Sequence, residues 1–253
     1  MATLTLLASK TVSAAEQPSI EFSPVTVYGA GFDEPVAQAL PQTELITSAQ
    51  IQKSGLNTVG DILEKLGHIH MQQDLGVNMN ASPDLRGYGA TASNNTVILI
   101  DGIKISQNEQ AAARIWSVPV EAIDHIEIIR GSTTVLYGEG ATSGVINIIT
   151  NKQKGDFAVA SVGVGSYRSR LSNAYLSKNI GDGKLSVFGK TAKSDGYRQQ
   201  SNSDLSAGGF QYDHSIHANT SFGFRYGQDT DKANLPGFLS LAKYGQNPRL
   251  PQY

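Results

Sequence analysis

The stretch that decides the fold reads IEIIRGSTTVLYGEGATSGVINIITNK, from Ile126 to Lys152. Two apolar runs, Ile126–Ile129 and Val145–Ile149, enclose a segment dominated by Gly, Ser and Thr. The second run is rich in β-branched residues and predicts a strand. A glycine-rich loop between apolar segments is also how many proteins hold a phosphate, so a nucleotide site is the first hypothesis to test.

The residues around this loop argue against a phosphate site. A Walker loop needs a Lys and a Ser or Thr directly after its last glycine, whereas Val145 and Ile146 follow Gly144. A dinucleotide fingerprint needs a helix after its glycines, and VINIIT predicts a strand instead. A nucleotide-dependent enzyme would have to show ATP or NAD binding, which we expect to be absent.

Composition excludes several other classes of protein. The chain has 253 residues, a net charge of −2 and no cysteine. The charge gives no sign of a general nucleic-acid-binding surface, and the lack of cysteine excludes disulfides and thiolate metal sites. No run of 18 apolar residues predicts a transmembrane helix. A membrane β-barrel stays open, because alternating strands leave mean hydropathy near zero, as the value of −0.22 here does.

The N-terminal region has two parts. Residues 1–15 resemble the end of an export signal that lacks the usual basic start, and the alternative is a frayed terminus. Residues 16–41 form a proline-rich leader that contains the β-prone stretch SPVTVYG. This stretch either docks as an added strand on another protein or is the first strand of the next domain.

Residues 42–152 predict a small α+β domain. TSAQ, from Thr47 to Gln50, fits a capping box before a short helix, and a second helix begins near Asn57 or Thr58 and stops at Gly67. Asp101-Gly102 is the residue pair that a type I′ turn prefers. It joins two predicted strands, Val97–Ile100 and Ile103–Ile105. A third helix is predicted from Pro119 to about His125.

The region after Lys154 predicts recurring strands of about ten residues. They are Phe157–Ser166, Arg170–Ile180, Lys184–Ser194 and Ile216–Tyr226. In the last of these, apolar and aromatic residues alternate with small, polar or charged ones. A lipid-facing barrel strand and a soluble meander over a core give the same alternation, so the pattern alone does not choose between them.

Catalytic patterns are weak. His68 and His70 would share a face of a strand, but no third ligand stands at a telling spacing, so exposed or packed histidines are favoured over a metal site. No G-x-S-x-G elbow is present, and an enzyme is unsupported.

Arg86 and Arg130 each end a strand-like run and precede Gly. They are either surface turns or fixed charges aimed at an acidic surface.

Three stretches in this order resemble the TonB-dependent outer-membrane receptors of Gram-negative bacteria. They are PVTVYG, LRGYGATASNNTVILIDGIKI and VEAIDHIEIIRGSTTVLYGEGATSGVINIITNK. The resemblance covers about residues 22–253 and implies an α+β plug domain followed by antiparallel transmembrane β-barrel strands of an incomplete 22-stranded barrel. It implies a signal remnant at 1–15, a leader with a TonB box at 16–41, a plug at 42–153 and barrel strands at 154–253.

The resemblance also implies sites and partners. The partners would be TonB with its inner-membrane energising complex, a loaded ligand and outer-membrane lipid, with no cofactor, resident metal or nucleic acid. The ligand would be an iron chelate (siderophore or haem) sooner than cobalamin, because NLPGFLSLAKYGQNPRLPQY resembles a loop of receptors that take up iron chelates. The TonB box would be Pro24, Val25, Thr26, Val27 and Tyr28; the ligand would meet Tyr88, Gln107, Asn108 and Arg114; and Arg86 and Arg130 would make charge contacts between plug and barrel.

Length departs from the family pattern. A 22-stranded barrel needs on the order of 400 residues, whereas the 99 residues after Lys154 hold about four to six strands. We therefore expect that the chain as given does not transport by itself. The alternative is a soluble periplasmic binding module built on a plug-like domain.

Overall fold

The computed structural model describes residues 26–27, 34–35, 43–72, 81–106, 112–150, 156–217 and 220–252. The predicted signal remnant and most of the leader lie outside the described residues. None of the described helices is long and apolar enough to cross a membrane. The strands are β1 Thr26–Val27, β2 Glu34–Pro35, β3 Thr43–Thr47, β4 His70–Gln72, β5 Ser82–Asp84, β6 Thr96–Ile100, β7 Ile103–Lys104, β8 Ile123–Arg130, β9 Gly144–Thr150, β10 Phe157–Gly165, β11 Ser169–Ile180, β12 Gly183–Ser194, β13 Ser203–His217 and β14 Thr220–Ala233. The helices are α1 Ser48–Ser54, α2 Val59–Lys65, α3 Ala92–Asn95, α4 Thr134–Tyr137 and α5 Leu241–Gln246.

The first sheet has the strand order β3-β8-β9-β6-β7. Strands β8 and β9 pair antiparallel at its centre, with Ile128 opposite Ile146, and β6 runs parallel to β9. Both faces of the central strands are covered, which is why they read as continuous apolar runs instead of alternating. The predicted strands around the glycine-rich segment are confirmed, each slightly longer than expected.

Local capping signals position two helices on this sheet. The Thr47 hydroxyl accepts a hydrogen bond from the Gln50 backbone N–H, and Gln50 Oε1 accepts one from the Thr47 backbone N–H, so the predicted capping box is confirmed. Thr58 caps α2, whose side chains Ile62 and Leu63 are fully buried in the core against the sheet. The helix brings Gly60 against the indole of Trp116.

The Asp101-Gly102 turn is also confirmed. Its φ angles of 50° and 80° are the left-handed pair that a type I′ turn requires.

The third predicted helix is wrong. Only Val120–Ala122 form a single 3-10 turn, and β8 begins at Ile123. Strand pairing decides this, because His125 lies opposite both Thr47 and Ile149 in the ladders of two neighbouring strands.

The second sheet is an antiparallel meander in the order β10-β11-β12-β13-β14. Its first three strands match the predicted runs, but the predicted strand Ile216–Tyr226 is wrong. It spans the end of β13, the connection and the start of β14, where His217 lies opposite Thr220. The two connecting residues contain no Gly or Pro, and the side-chain alternation continues across the reversal, so the pattern hid the turn.

The two faces of the second sheet differ in chemistry. One face meets the first sheet and its helices, and it carries polar side chains: Ser161, Asn173, Lys190, Gln211 and Arg225. The other face carries Leu176, Val187, Phe210, Phe224 and Tyr226, which are 38–51% exposed. A soluble meander would turn its apolar side toward the core. Here the face that meets the first sheet is largely polar, with Tyr175 and Leu205 also buried on it, and the face that carries the exposed large apolar side chains points outward.

Candidate functional site

The tip of the β6–β7 hairpin contacts the second sheet through an ion pair. The Asp101 carboxylate accepts hydrogen bonds from the Thr150 backbone at 2.7 Å and the Thr150 hydroxyl at 2.6 Å. Its Oδ2 also binds the guanidinium of Arg225. Arg225 donates to the Ile100 carbonyl at 3.3 Å and to Gln211 Oε1 at 2.7 Å. All of the polar groups at this contact are therefore engaged, and the guanidinium joins a turn of one sheet to two strands of the other.

The segment 112–122 makes a second group of contacts with the second sheet. Glu121 Oε1 accepts from the Ser161 hydroxyl and, at 3.1 Å, from Asn173 Nδ2. Lys190 Nζ donates to the carbonyl of Val118 at 3.3 Å. Asn173 and Lys190 are 4% and 3% exposed, so these polar groups are desolvated by the contact between the two units.

Arg114 forms the most solvent-exposed of these contacts. Its guanidinium pairs with Asp229 of β14, and the two side chains are 63% and 22% exposed. A pair this exposed adds little stability, so Arg114 stays available to other anions.

A cavity of about 360 Å³ lies between the segment 112–122 and strands β11–β14. Its lining combines apolar walls with polar groups, and representative lining residues are Ile105, Ala113, Arg114, Tyr175, Phe188 and Gln211. Such a lining can hold a small amphipathic molecule or water by noncovalent contact.

A polar chain runs through the core of the first sheet. Glu127 is fully buried and accepts from Asn147 Nδ2 at 2.9 Å, while Asn147 Oδ1 accepts from the Gly102 backbone at 3.2 Å. His125 lies 2.7 Å from Asp124 Oδ2 and 3.5 Å from Glu127 Oε1. Burial alone would lower the pKa of His125, but hydrogen bonds and charge attraction from the two carboxylates outweigh it and raise that pKa to about 9.

Asp84 shapes the loop that follows β5. Its carboxylate accepts backbone hydrogen bonds from Arg86 at 3.2 Å, Tyr88 at 2.9 Å and Gly89 at 2.7 Å. Burial would raise the pKa of Asp84, and these N–H groups together lower it below its usual value. Gly87 takes a φ of 76°, and the turn leaves Arg86 and Tyr88 exposed.

The predicted ligand residues are only partly described. Tyr88 lies on the exposed loop held by Asp84, and Arg114 lies at the 360 Å³ cavity. Gln107 and Asn108 lie outside the described residues.

The TonB-box prediction is also only partly described. Pro24, Val25 and Tyr28 lie outside the described residues. Thr26–Val27 pairs antiparallel with Glu34–Pro35.

The two predicted charge contacts stay predictions. Arg130 donates to Glu44 Oε2 at 3.0 Å and to the Gly67 carbonyl at 2.6 Å, both within the first-sheet unit. Arg86 is exposed on its turn. Sequence reasoning missed Arg225, the one charged residue between Thr220 and Tyr226. It took Asp101 only as a turn residue.

No chemistry beyond binding is apparent in the described part of the chain. His68 has a φ of 48° and does not continue the strand of His70, so the two imidazoles do not share a strand face. Among the described residues, no group of three or more His, Cys, Asp or Glu side chains could hold a metal ion.

Comparison with known proteins connects this arrangement to a family. Residues 36–145 match the TonB-dependent Receptor Plug Domain. The vitamin B12 transporter BtuB of Vibrio vulnificus strain CMCP6 is 29% identical over 176 residues, which are 68% of this chain and 28% of that protein. BtuB of Vibrio cholerae serotype O1 strain M66-2 is 30% identical over 177 residues, with the same shares covered. The chain thus spans about 28% of the length of these curated relatives.

Solved receptors share the fold. The unliganded ferric citrate transporter FecA matches with a TM-score of 0.71 and 16% identity, over 91% of this chain and 37% of that one. The siderophore receptor PirA of Pseudomonas aeruginosa matches with a TM-score of 0.59 and 24% identity, over 78% of this chain and 35% of that one. The expected fold class, a plug domain followed by antiparallel barrel strands, is confirmed. The chain therefore belongs to the TonB-dependent receptors, which are non-enzymatic outer-membrane proteins, and it carries their plug domain and part of their barrel.

Proposed function

We propose that the chain contributes the plug and early wall of a receptor for energised uptake of an iron chelate, either a siderophore or haem. One observation carries the receptor assignment: the second sheet turns its polar face to the plug and its apolar face outward. A soluble binding module would expose its polar face, so this observation disfavours that alternative. Thr150 ends the first sheet and Phe157 begins the second, which supports a division between a plug at 42–153 and a wall at 154–253. A signal remnant at 1–15 and a leader at 16–41 complete the proposed division.

We propose that Pro24, Val25, Thr26, Val27 and Tyr28 bind TonB as an added strand. The support is that Thr26–Val27 already adopts a strand and pairs through its backbone with Glu34–Pro35. A two-residue ladder is a weak competitor, and a longer strand from a partner protein would displace it.

The TonB test uses the full chain and the isolated periplasmic domain of TonB, with affinity measured by calorimetry. Val27→Pro removes a backbone donor, whereas Val27→Ala changes the side chain and keeps the donor. We expect V27P to weaken binding by about tenfold or more, since it removes at least one hydrogen bond and bends the strand. V27A should bind almost as well as the unaltered chain. Equal affinity for V27P and the unaltered chain would contradict strand addition.

We propose that the chelate meets Tyr88, Gln107, Asn108 and Arg114. Tyr88 stands exposed on a loop fixed by Asp84, and Arg114 combines a guanidinium that is 63% exposed and paired with Asp229 with a neighbouring cavity. Ferric siderophores often carry negative charge, which Arg114 would attract. Arg86 and Arg130 would add charge contacts between the plug and acidic groups of the barrel.

Cobalamin is the second candidate ligand, because the BtuB relatives are named as vitamin B12 transporters. The test titrates the full chain with ferric citrate, ferric enterobactin, haem or cyanocobalamin and follows the fluorescence of Trp116, two residues after Arg114 in the chain. We expect saturable quenching by an iron chelate and a several-fold weaker response in Arg114→Gln. Saturation by cyanocobalamin alone would overturn the iron proposal and establish the second candidate.

A further inference from the structure

The cavity between the segment 112–122 and strands β11–β14 has an apolar interior and a charged mouth. Four of its lining residues are only 4–6% exposed: Ala113, Val118, Ala122 and Tyr175. Arg114 also lines the cavity, and its side chain is 63% exposed. The guanidinium therefore lies where the cavity opens to solvent, and the buried apolar groups lie at its closed end.

Both units of the chain build the apolar interior. Tyr175 and Phe188 lie opposite each other in the ladder of β11 and β12, and both line the cavity from the second sheet. Ile100, Ile105 and Val118 line it from the plug. The volume of about 360 Å³ equals that of roughly a dozen water molecules, which suits an organic molecule of about ten non-hydrogen atoms. Because neither unit forms this cavity alone, a molecule bound in it is held only while the plug is docked against the second sheet.

Arg114 offers hydrogen-bond donors at the mouth of the cavity. Among the described residues, its guanidinium donates only to Asp229, through Nη1. A guanidinium has several N–H groups and can bind a second carboxylate through another edge. The charged lining residues are Arg114, Arg225 and Asp229, two cations and one anion with a net charge of +1, and Asp101 holds Arg225 from outside the lining. Arg114 is thus the cation that a ligand can reach.

We propose that this cavity binds a small organic carboxylate, with its apolar body in the interior and its carboxylate on Arg114 at the mouth. An amine would meet the guanidinium as a like charge, and an uncharged molecule would gain no charge-assisted hydrogen bond. The bound molecule stabilises the docked plug, because it binds only when the two units meet. One consequence rests on the proposed function: since the iron chelate would also use Arg114, the carboxylate competes with it and restrains uptake.

The test is urea unfolding of the full chain in a non-ionic detergent, followed at Trp116, with increasing phenylpropionate, phenylpropanol or phenylpropylamine. These probes share one apolar body and differ in the charge of the head group. The concentration dependence of the unfolding midpoint gives the affinity of each probe for the folded chain. We expect phenylpropionate to bind in roughly the millimolar range, about tenfold more tightly than the alcohol and more tightly still than the amine. Arg114→Gln should remove this preference for the carboxylate.

A filled-cavity variant tests the position of the site. Ala207 lines the cavity from β13, so Ala207→Leu should abolish the response of the midpoint to phenylpropionate. The matched control is Ala174→Leu, at an exposed position of β11 outside the lining, and it should keep the response. Should Ala207→Leu fail to fold, Arg114→Gln, at an exposed position, still decides whether the carboxylate binds at the mouth.

Three results would overturn the inference. They are no response to any probe, an equal response in Ala207→Leu and the unaltered chain, and equal affinities for the acid, the alcohol and the amine. Failure of iron chelates to quench Trp116 is a separate result, which would contradict the proposed function and leave this site intact.

Discussion

Replacing Arg225 by Ala should destabilise the docking of the plug against the second sheet more than any exposed charge substitution. The change removes the guanidinium that binds Asp101, the Ile100 carbonyl and Gln211. The Asp101 carboxylate would be left with only its two hydrogen bonds from Thr150. Since Asp101 and Arg225 side chains are 10% and 27% exposed, water can replace only part of the lost contact.

The expected magnitude lies between two limits. Removing one partner of a fully buried ion pair costs about 3–5 kcal/mol, and removing one from an exposed pair costs about 1 kcal/mol or less. The partial exposure of Arg225 and the remaining bonds from Thr150 shift the expectation for Arg225→Ala to about 2–3 kcal/mol. Arg114→Ala is the matched control, because its pair with Asp229 is 63% exposed on the arginine side and should cost less than about 1 kcal/mol.

The assay is urea unfolding of the full chain in detergent, followed by the fluorescence of its single tryptophan, Trp116. This residue packs against Gly60 in the plug and lies in the segment that meets the second sheet, so its signal reports plug docking. A double-mutant cycle with Asp101→Asn isolates the pair. A coupling energy below about 0.5 kcal/mol, or equal losses for Arg225→Ala and Arg114→Ala, would refute the reasoning.

Three further substitutions or titrations test the plug itself. The folded plug raises the pKa of His125 from 6.5 to about 9, so protonated His125 stabilises the fold fully below pH 6.5 and this stabilisation is lost as the pH rises through 9. The free energy of unfolding, monitored at Trp116, should fall by about 3 kcal/mol over this range. The same fall should be absent in His125→Gln. The folded state lowers the pKa of Asp84, so the ionised carboxylate stabilises the fold above pH 3.8, and this stabilisation is lost as the pH falls through the pKa of the folded state. At neutral pH, Asp84→Asn should speed hydrogen exchange of the Gly89 amide, which donates to this carboxylate, and unchanged exchange would contradict this role. In Gly60→Ala the new methyl would overlap the indole of Trp116, so we expect a shifted emission maximum and a destabilisation of about 1–3 kcal/mol, whereas an unshifted spectrum would mean that the two do not pack together.

Signals that act over a few residues were readable from the sequence. The Thr47 capping box and the Asp101-Gly102 turn depend on side chains and backbone angles within four positions, and both are confirmed. The helix expected from Pro119 failed because the strand that replaces its second half is stabilised by partners far away in the chain. The reversal after His217 failed because hairpin strands on both sides keep the same alternation.

The contact between the two sheets was beyond sequence reasoning for a related reason. Asp101 and Arg225 are separated by 124 positions, and neither residue type is unusual in its local setting. The turn alone accounts for the presence of Asp101, and a polar sheet face alone accounts for Arg225. Only the three-dimensional structure shows that the two side chains pair. The resemblance to a receptor family could place a plug against a wall, but it did not identify the side chains that join them.

The order of these contacts along the chain bears on how the plug would respond to force. On the proposed function, TonB pulls on the leader, and the first strand of the first sheet that the pull reaches is β3, at Thr43. Strand β3 is an edge of the first sheet and pairs only with β8 there, through five residue pairs. The Arg130 bonds to Glu44 and to the Gly67 carbonyl lie at the entry end of this ladder. Release would therefore begin by breaking the Arg130 contacts and peeling β3 from β8, while the Asp101–Arg225 pair, on the opposite side of the sheet, still holds the hairpin to the wall.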